Sequence, residues 1–141
     1  MDLFKQILNW YRQGFFCAQI LALLALEADG EENPGLVRAM AGLNGGLGFT
    51  GNLCGCLTGG CCVLSYFTGK GEPDELEDPD ARELIREYIR WFETEAGGKG
   101  NAVTCDALLD GNPANRMERC PGLVAGAFEK VMTLLSEKGK L

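Results

Sequence analysis

The apolar positions of this chain repeat at helical spacing almost throughout. Leu3, Phe4, Ile7, Leu8, Tyr11 and Phe15 mark one face of a first stretch, with Asp2 placed to cap it. Residues 2–29 read as one long helix or two in succession, and Gly14 is the natural break. From Phe16 to Leu26 the chain is apolar nearly all round, the pattern of a central buried helix that ends at Asp29-Gly30. Asn33-Pro34 opens the next helix, with Asn as cap and Pro at its first position, and Leu36, Val37, Met40 and Leu43 form its apolar face.

Four glycines in the seven positions 45–51 make the segment Asn44–Gly51 too glycine-rich for regular structure. A third helical segment follows from Asn52 to about Gly69, and then an acidic solvated loop to Pro79 that includes Glu72, Asp74, Glu75, Glu77 and Asp78. Leu84, Ile85, Tyr88, Ile89 and Phe92 give a strongly amphipathic helix from Asp78-Pro79 to about Glu95. A turn over 97–101, a short helical piece at Thr104–Leu109 and a stop at Asp110–Pro113 come next. The last helix is expected from Cys120-Pro121 to Lys138, with Leu123, Val124, Ala127, Phe128, Val131, Leu134 and Leu135 facing inward. No alternating strand pattern occurs, so the glycine-rich loop lacks the βαβ frame of a dinucleotide site. The expected fold is all-α: one domain over 1–141, a compact bundle of four to five helices with the Gly-rich loop before the cysteine-bearing helix.

Charge and composition then narrow the chemistry. The 13 Lys+Arg against 20 Asp+Glu give a net charge of −7, a field that disfavours nucleic acid. The apolar stretch 14–26 is too short to span a bilayer, and the N-terminus has no basic region, so a cytoplasmic protein without a membrane span is expected. Histidine is absent, which excludes Ser-His-Asp and Cys-His nucleophiles and imidazole metal sites. Seven cysteines remain. In a reducing compartment they point to redox work, metal binding or packing before structural disulfides.

These are Cys17, the cluster Cys54, Cys56, Cys61 and Cys62, then Cys105 and Cys120. A spacing of about 100° per residue places Cys54, Cys61 and Cys62 on one helix face, with Cys56 pointing away. Cys54, Cys105 and Cys120 each stand at an expected helix N-terminus, where peptide N–H groups and the helix dipole favour thiolate. Thiolate is what metal ligation and disulfide exchange both require. Packing is the plainer reading, because free cysteine often behaves as a small buried hydrophobe. No C-x-x-C pair signals a zinc ribbon or a thioredoxin-type dithiol.

The pattern resembles the family of small redox-active proteins named for a C…GC-A-x-x-G…C…C arrangement. Its Cys-Gly-Ala-x-x-Gly motif reads here Cys54-Gly55-Cys56-Leu57-Thr58-Gly59, with Cys56 where the family usually has Ala. Phe16-Cys17-Ala18-Gln19 resembles the setting of the family's first cysteine, the loop 45–51 its glycine-rich run, and Cys105 and Cys120 its third and fourth cysteines. The resemblance implies a redox role, with a redox or transport-related protein as partner, and brings no defined substrate.

Three functions follow as expectations. In the first, Cys17, Cys54, Cys105 and Cys120 converge for thiol–disulfide exchange or electron transfer, with Cys54 attacking and Cys120 or Cys105 resolving. In the second, the same four hold zinc, an iron–sulfur cluster or copper, with Cys56, Cys61 and Cys62 as extra ligands. In the third, the cysteines only pack, and Trp10, Tyr11 and Trp91 serve a homodimer interface or a pocket.

Overall fold

In the computed structural model, which describes residues 2–141, the chain is all-α, and no strand forms among the described residues. The helices are α1 (Leu3–Arg12), α2 (Cys17–Asp29), α3 (Pro34–Met40), α4 (Asn44–Leu47), α5 (Gly55–Thr68), α6 (Ala81–Glu95), α7 (Cys105–Leu108) and α8 (Arg116–Glu137). Five of them, α1, α2, α5, α6 and α8, have ten or more residues and make up the bundle.

Residues 2–29 divide into two helices around Gly14, whose φ of +95° stops α1 and lets the chain turn. Helix α2 occupies the centre, as its all-round apolar pattern requires. It packs on α1, α3, α5 and α8 and buries Ile20, Leu21, Leu24 and Ala25. Tyr88 and Phe92 of α6 and Val124, Val131 and Leu135 of α8 complete the core. The acidic loop before α6 is exposed, except where Lys140 ties it to the C-terminus through Asp78 at 3.0 Å and Asp80 at 2.9 Å. No described helix is long and apolar enough to cross a membrane.

Three starts differ from the sequence expectation: α5 begins at Gly55 and not at Asn52, α6 at Ala81 and not at Asp78-Pro79, and α8 upstream of Cys120. Helix α8 starts at Arg116, running on from a turn at Pro113–Asn115, and carries Pro121 inside it. Proline there removes one backbone hydrogen bond. The buried face from Val124 to Leu135 outweighs that loss and carries the helix through.

Candidate functional site

The site begins at two helix N-termini that face each other. Cys17 is the first residue of α2, and Cys54 is the residue just before α5. What lets them meet is glycine. A Cβ on Gly55 would stand 2.4 Å from the Cys17 sulfur, and one on Gly59 would stand 3.2 Å from the Ala18 Cα and from Leu21. The motif glycines are therefore where α5 crosses close to α2.

Asn44 holds the start of α2. It is buried, its Oδ1 accepts from the Ala18 N–H (3.2 Å), and its Nδ2 donates to Gln19 Oε1 (2.9 Å). Gln19 in turn donates to the Val37 carbonyl (3.3 Å). Phe16, at the cap position, has no side-chain oxygen to offer, so Asn44 satisfies an orphan helix donor from another segment. The glycine-rich loop brings Asn44 there. Gly46 has φ +75°, and a Cβ on it would lie 2.4–2.5 Å from the Asn52 backbone and 2.8 Å from the Cys105 Cβ. The Asn52 N–H donates to the Gly46 carbonyl (2.9 Å).

Cys105 comes in from the other side. Leu53 and Thr104 form an isolated antiparallel bridge. The Cys54 N–H donates to the Val103 carbonyl (2.9 Å), and the Cys105 N–H donates to the Asn52 carbonyl (2.6 Å). Thr104 caps α7 by accepting from the Ala107 N–H (3.1 Å). Cys120 joins from α8, and Cys17, Cys54, Cys56, Cys105 and Cys120 are all buried in one core cluster.

Cys56 is the correction that matters most. The 100° spacing places it away from the other thiols, but it is fully buried in the same core as Cys17 and Cys54, and each of those thiols is influenced by it. The spacing argument fails because Cys54 is not helical: its φ and ψ of −55° and 133° put it outside the α5 turn. Cys61 and Cys62 do not join the group. Cys61 is half-buried, and Cys62 is exposed, with Cys61 and Cys62 in an apolar groove between α2, α3 and α5. Cys120 is also corrected, since it lies in the fifth position of α8 and not at its N-terminus.

Local charge separates the thiols. The hydrogen bond from Cys56 lowers Cys17 from 9.0 to about 7, helped by the N–H groups of Gly45 and Ala18 and by the Arg116 charge, against the effect of burial. The same donor lowers Cys54, with help from the N–H groups of Cys56 and Leu57. Cys56, as the shared donor, is held well above the usual thiol value. Burial pushes Cys120 up to about 12 and Cys61 to about 11, and raises Cys62. Burial also raises Cys105, where a hydrogen bond from Arg116 opposes it.

Three residues of the site escape the sequence reading. Arg116 is the cation beside the cluster. Its guanidinium lies 5.1 Å from the centroid of the Phe49 ring. Tyr11, expected at an interface or pocket, is instead buried among the thiols, and its hydroxyl has no hydrogen-bond partner. Asn44 is the third. None belongs to a local motif, because each reaches the site through tertiary packing.

No three cysteine or acidic side chains among the described residues are arranged to hold a metal ion. The zinc, iron–sulfur or copper site expected from Cys17, Cys54, Cys105 and Cys120, with Cys56, Cys61 and Cys62 as extra ligands, has no such grouping here.

Fold and site together define a small all-α protein with five cysteines buried in one core, Cys17 and Cys105 of them against a glycine-rich loop. The family model described as "Putative redox-active protein (C_GCAxxG_C_C)" matches residues 15–134, and the chain belongs to that family. No match is found among curated proteins or among solved structures.

Proposed function

We propose that this protein is a thiol–disulfide redox protein whose reacting group is Cys17, Cys54 and Cys56, with Cys105 and Cys120 alongside. The observation that carries this reading is the meeting of Cys17, first residue of α2, with Cys54, the cap of α5, across the bare Gly55 and beside fully buried Cys56, a setting that lowers both Cys17 and Cys54. A thiol near 7 is substantially thiolate at neutral pH, and thiolate is the nucleophile of disulfide exchange. Burial alone shifts a thiol the other way, as at Cys120.

The exchange runs in two displacements. A thiolate of Cys17 or Cys54 attacks one sulfur of a substrate disulfide, forms a mixed disulfide and releases the other sulfur as thiolate. A second thiol of the group then loses its proton to that leaving group and displaces the remaining substrate sulfur. Two electrons pass to the substrate, which leaves as one thiol and one thiolate that takes its proton from solvent, and the protein keeps an internal disulfide.

The test is alkylation rate against pH, resolved by peptide. Cys17 and Cys54 are expected to reach half their maximal rate below the value of the denatured chain. Identical folded and denatured profiles for both would overturn the reading.

A further inference from the structure

The buried cysteines need an approach from solvent, and Cys105 has one. It lines a cavity of about 180 Å³ between the glycine-rich loop and the start of α8, with Phe49, Gly51, Asp106 and Arg116 on the walls. That space is below the roughly 300–1,000 Å³ of a whole drug-sized ligand site, so it suits one end of a small molecule.

Arg116 gives the cavity its chemistry. It shares the cavity wall with Cys105 and lies over Phe49, and it has no carboxylate within ion-pair distance among the described residues. The neighbouring Arg119 is different, being held by Asp110 (2.9 Å) and the Leu108 carbonyl (2.8 Å). The acid on the walls is Asp106, which is exposed and lies against Gly51, while its backbone N–H donates to the Gly51 carbonyl. A molecule of net charge −7 repels anions over most of its surface. An uncommitted guanidinium beside a thiol in a small cleft is the exception.

We propose that this cleft receives a low-molecular-weight anionic disulfide, with Arg116 holding its acid group and Cys105 meeting its sulfur. This rests on the thiol-redox reading for what enters. Against burial, the Arg116 charge favours the Cys105 thiolate. Cys105–S⁻ with R–S–S–R gives Cys105–S–S–R and R–S⁻: the Cys105 sulfur bonds to one substrate sulfur, the substrate S–S bond breaks, and the released sulfur takes up from solvent the proton that Cys105 gave to it. The bound half is then displaced by a neighbouring thiol of the cluster and leaves as a second R–SH.

The experiment compares an anionic and a neutral alkylating reagent, iodoacetate and iodoacetamide, on the reduced full chain. Each cysteine is quantified by peptide mass, with exposed Cys62 as the internal reference. Taking the ratio of the two rates cancels differences in thiolate fraction. The expected iodoacetate preference at Cys105 exceeds that at Cys62 by about fivefold, the factor for one unit-charge contact in water-like surroundings. Arg116→Gln brings it to the Cys62 value, and Arg116→Lys keeps most of it. Should Arg116→Gln fail to fold, added salt lowers the preference of the native protein at Cys105 more than at Cys62. Equal ratios at the two cysteines, a preference indifferent to both Arg116 and salt, or no reaction of Cys105 with either reagent would overturn the proposal. Failure of the redox reading is seen separately, as the absence of any internal disulfide after oxidation.

Discussion

Cys56 has no solvent exposure, and its thiol is the largest influence lowering both Cys17 and Cys54. Cys56→Ala, which restores the residue usual for the family, removes that thiol while keeping a small apolar side chain. The Cys17 thiol is then expected to rise from about 7 toward 9.0, read as a shift in thiolate ultraviolet absorbance against pH. An unchanged titration would remove Cys56 from the account. Two buried tyrosines give a contrasting pair. The Tyr88 hydroxyl donates to the Cys56 carbonyl at 2.6 Å, so Tyr88→Phe is expected to cost about 1 kcal/mol. The Tyr11 hydroxyl has no partner, so Tyr11→Phe is expected to leave stability unchanged or raise it by up to about 1 kcal/mol. Urea unfolding of the two variants checks both, and an equal loss in each would contradict the hydrogen-bond assignment.

At the scale of elements, the site is a helix crossing. Gly55 admits the Cys17 sulfur to the start of α5, and any Cβ there collides with it. Gly55→Ala should therefore separate α2 from α5 and destabilise by roughly 1–3 kcal/mol, the cost of overpacking a filled core. The same substitution should weaken the Cys17 depression, and thermal unfolding together with thiol titration checks both effects. Much of this architecture is legible in the sequence. The helices, the glycine-rich interruption, the Asn33-Pro34 start and the Thr104 cap follow from periodicity and capping alone. The facing of Cys56 was not legible, because helical spacing counts from a residue that is helical, and Cys54 is an extended cap. Cys120 misled for a related reason. Pro121 imitates a first-turn proline, while the true start lies upstream at Arg116. Tyr11 lies on the apolar face that periodicity marks, but its place beside the thiols, like those of Arg116 and Asn44, comes from tertiary packing, which no local pattern encodes.

For the whole molecule, the thiols make stability depend on pH in two opposed ways. Between about pH 7 and 9 the native chain has lost the Cys17 proton that the unfolded chain still binds, so stability rises with pH. Cys54 contributes in the same direction. Below pH 7 Cys17 is protonated in both states and its contribution disappears. Above pH 9 the unfolded chain ionises the thiols that burial holds protonated in the native state, Cys56, Cys105 and Cys120 among them, and stability falls. Urea midpoints under reducing conditions should therefore peak near pH 9, and Cys56→Ala should flatten the rise between pH 7 and 9. A midpoint that falls steadily from pH 7 upward would contradict the assignment of depressed thiols.

The most direct measurement is the disulfide map of the folded, reduced protein after treatment with a small disulfide-forming oxidant. The account predicts one bond within the group Cys17, Cys54, Cys56 and Cys105, loss of two free thiols, and recovery of both on reduction. Oxidation confined to Cys61 and Cys62, or no intramolecular bond at all, would contradict it.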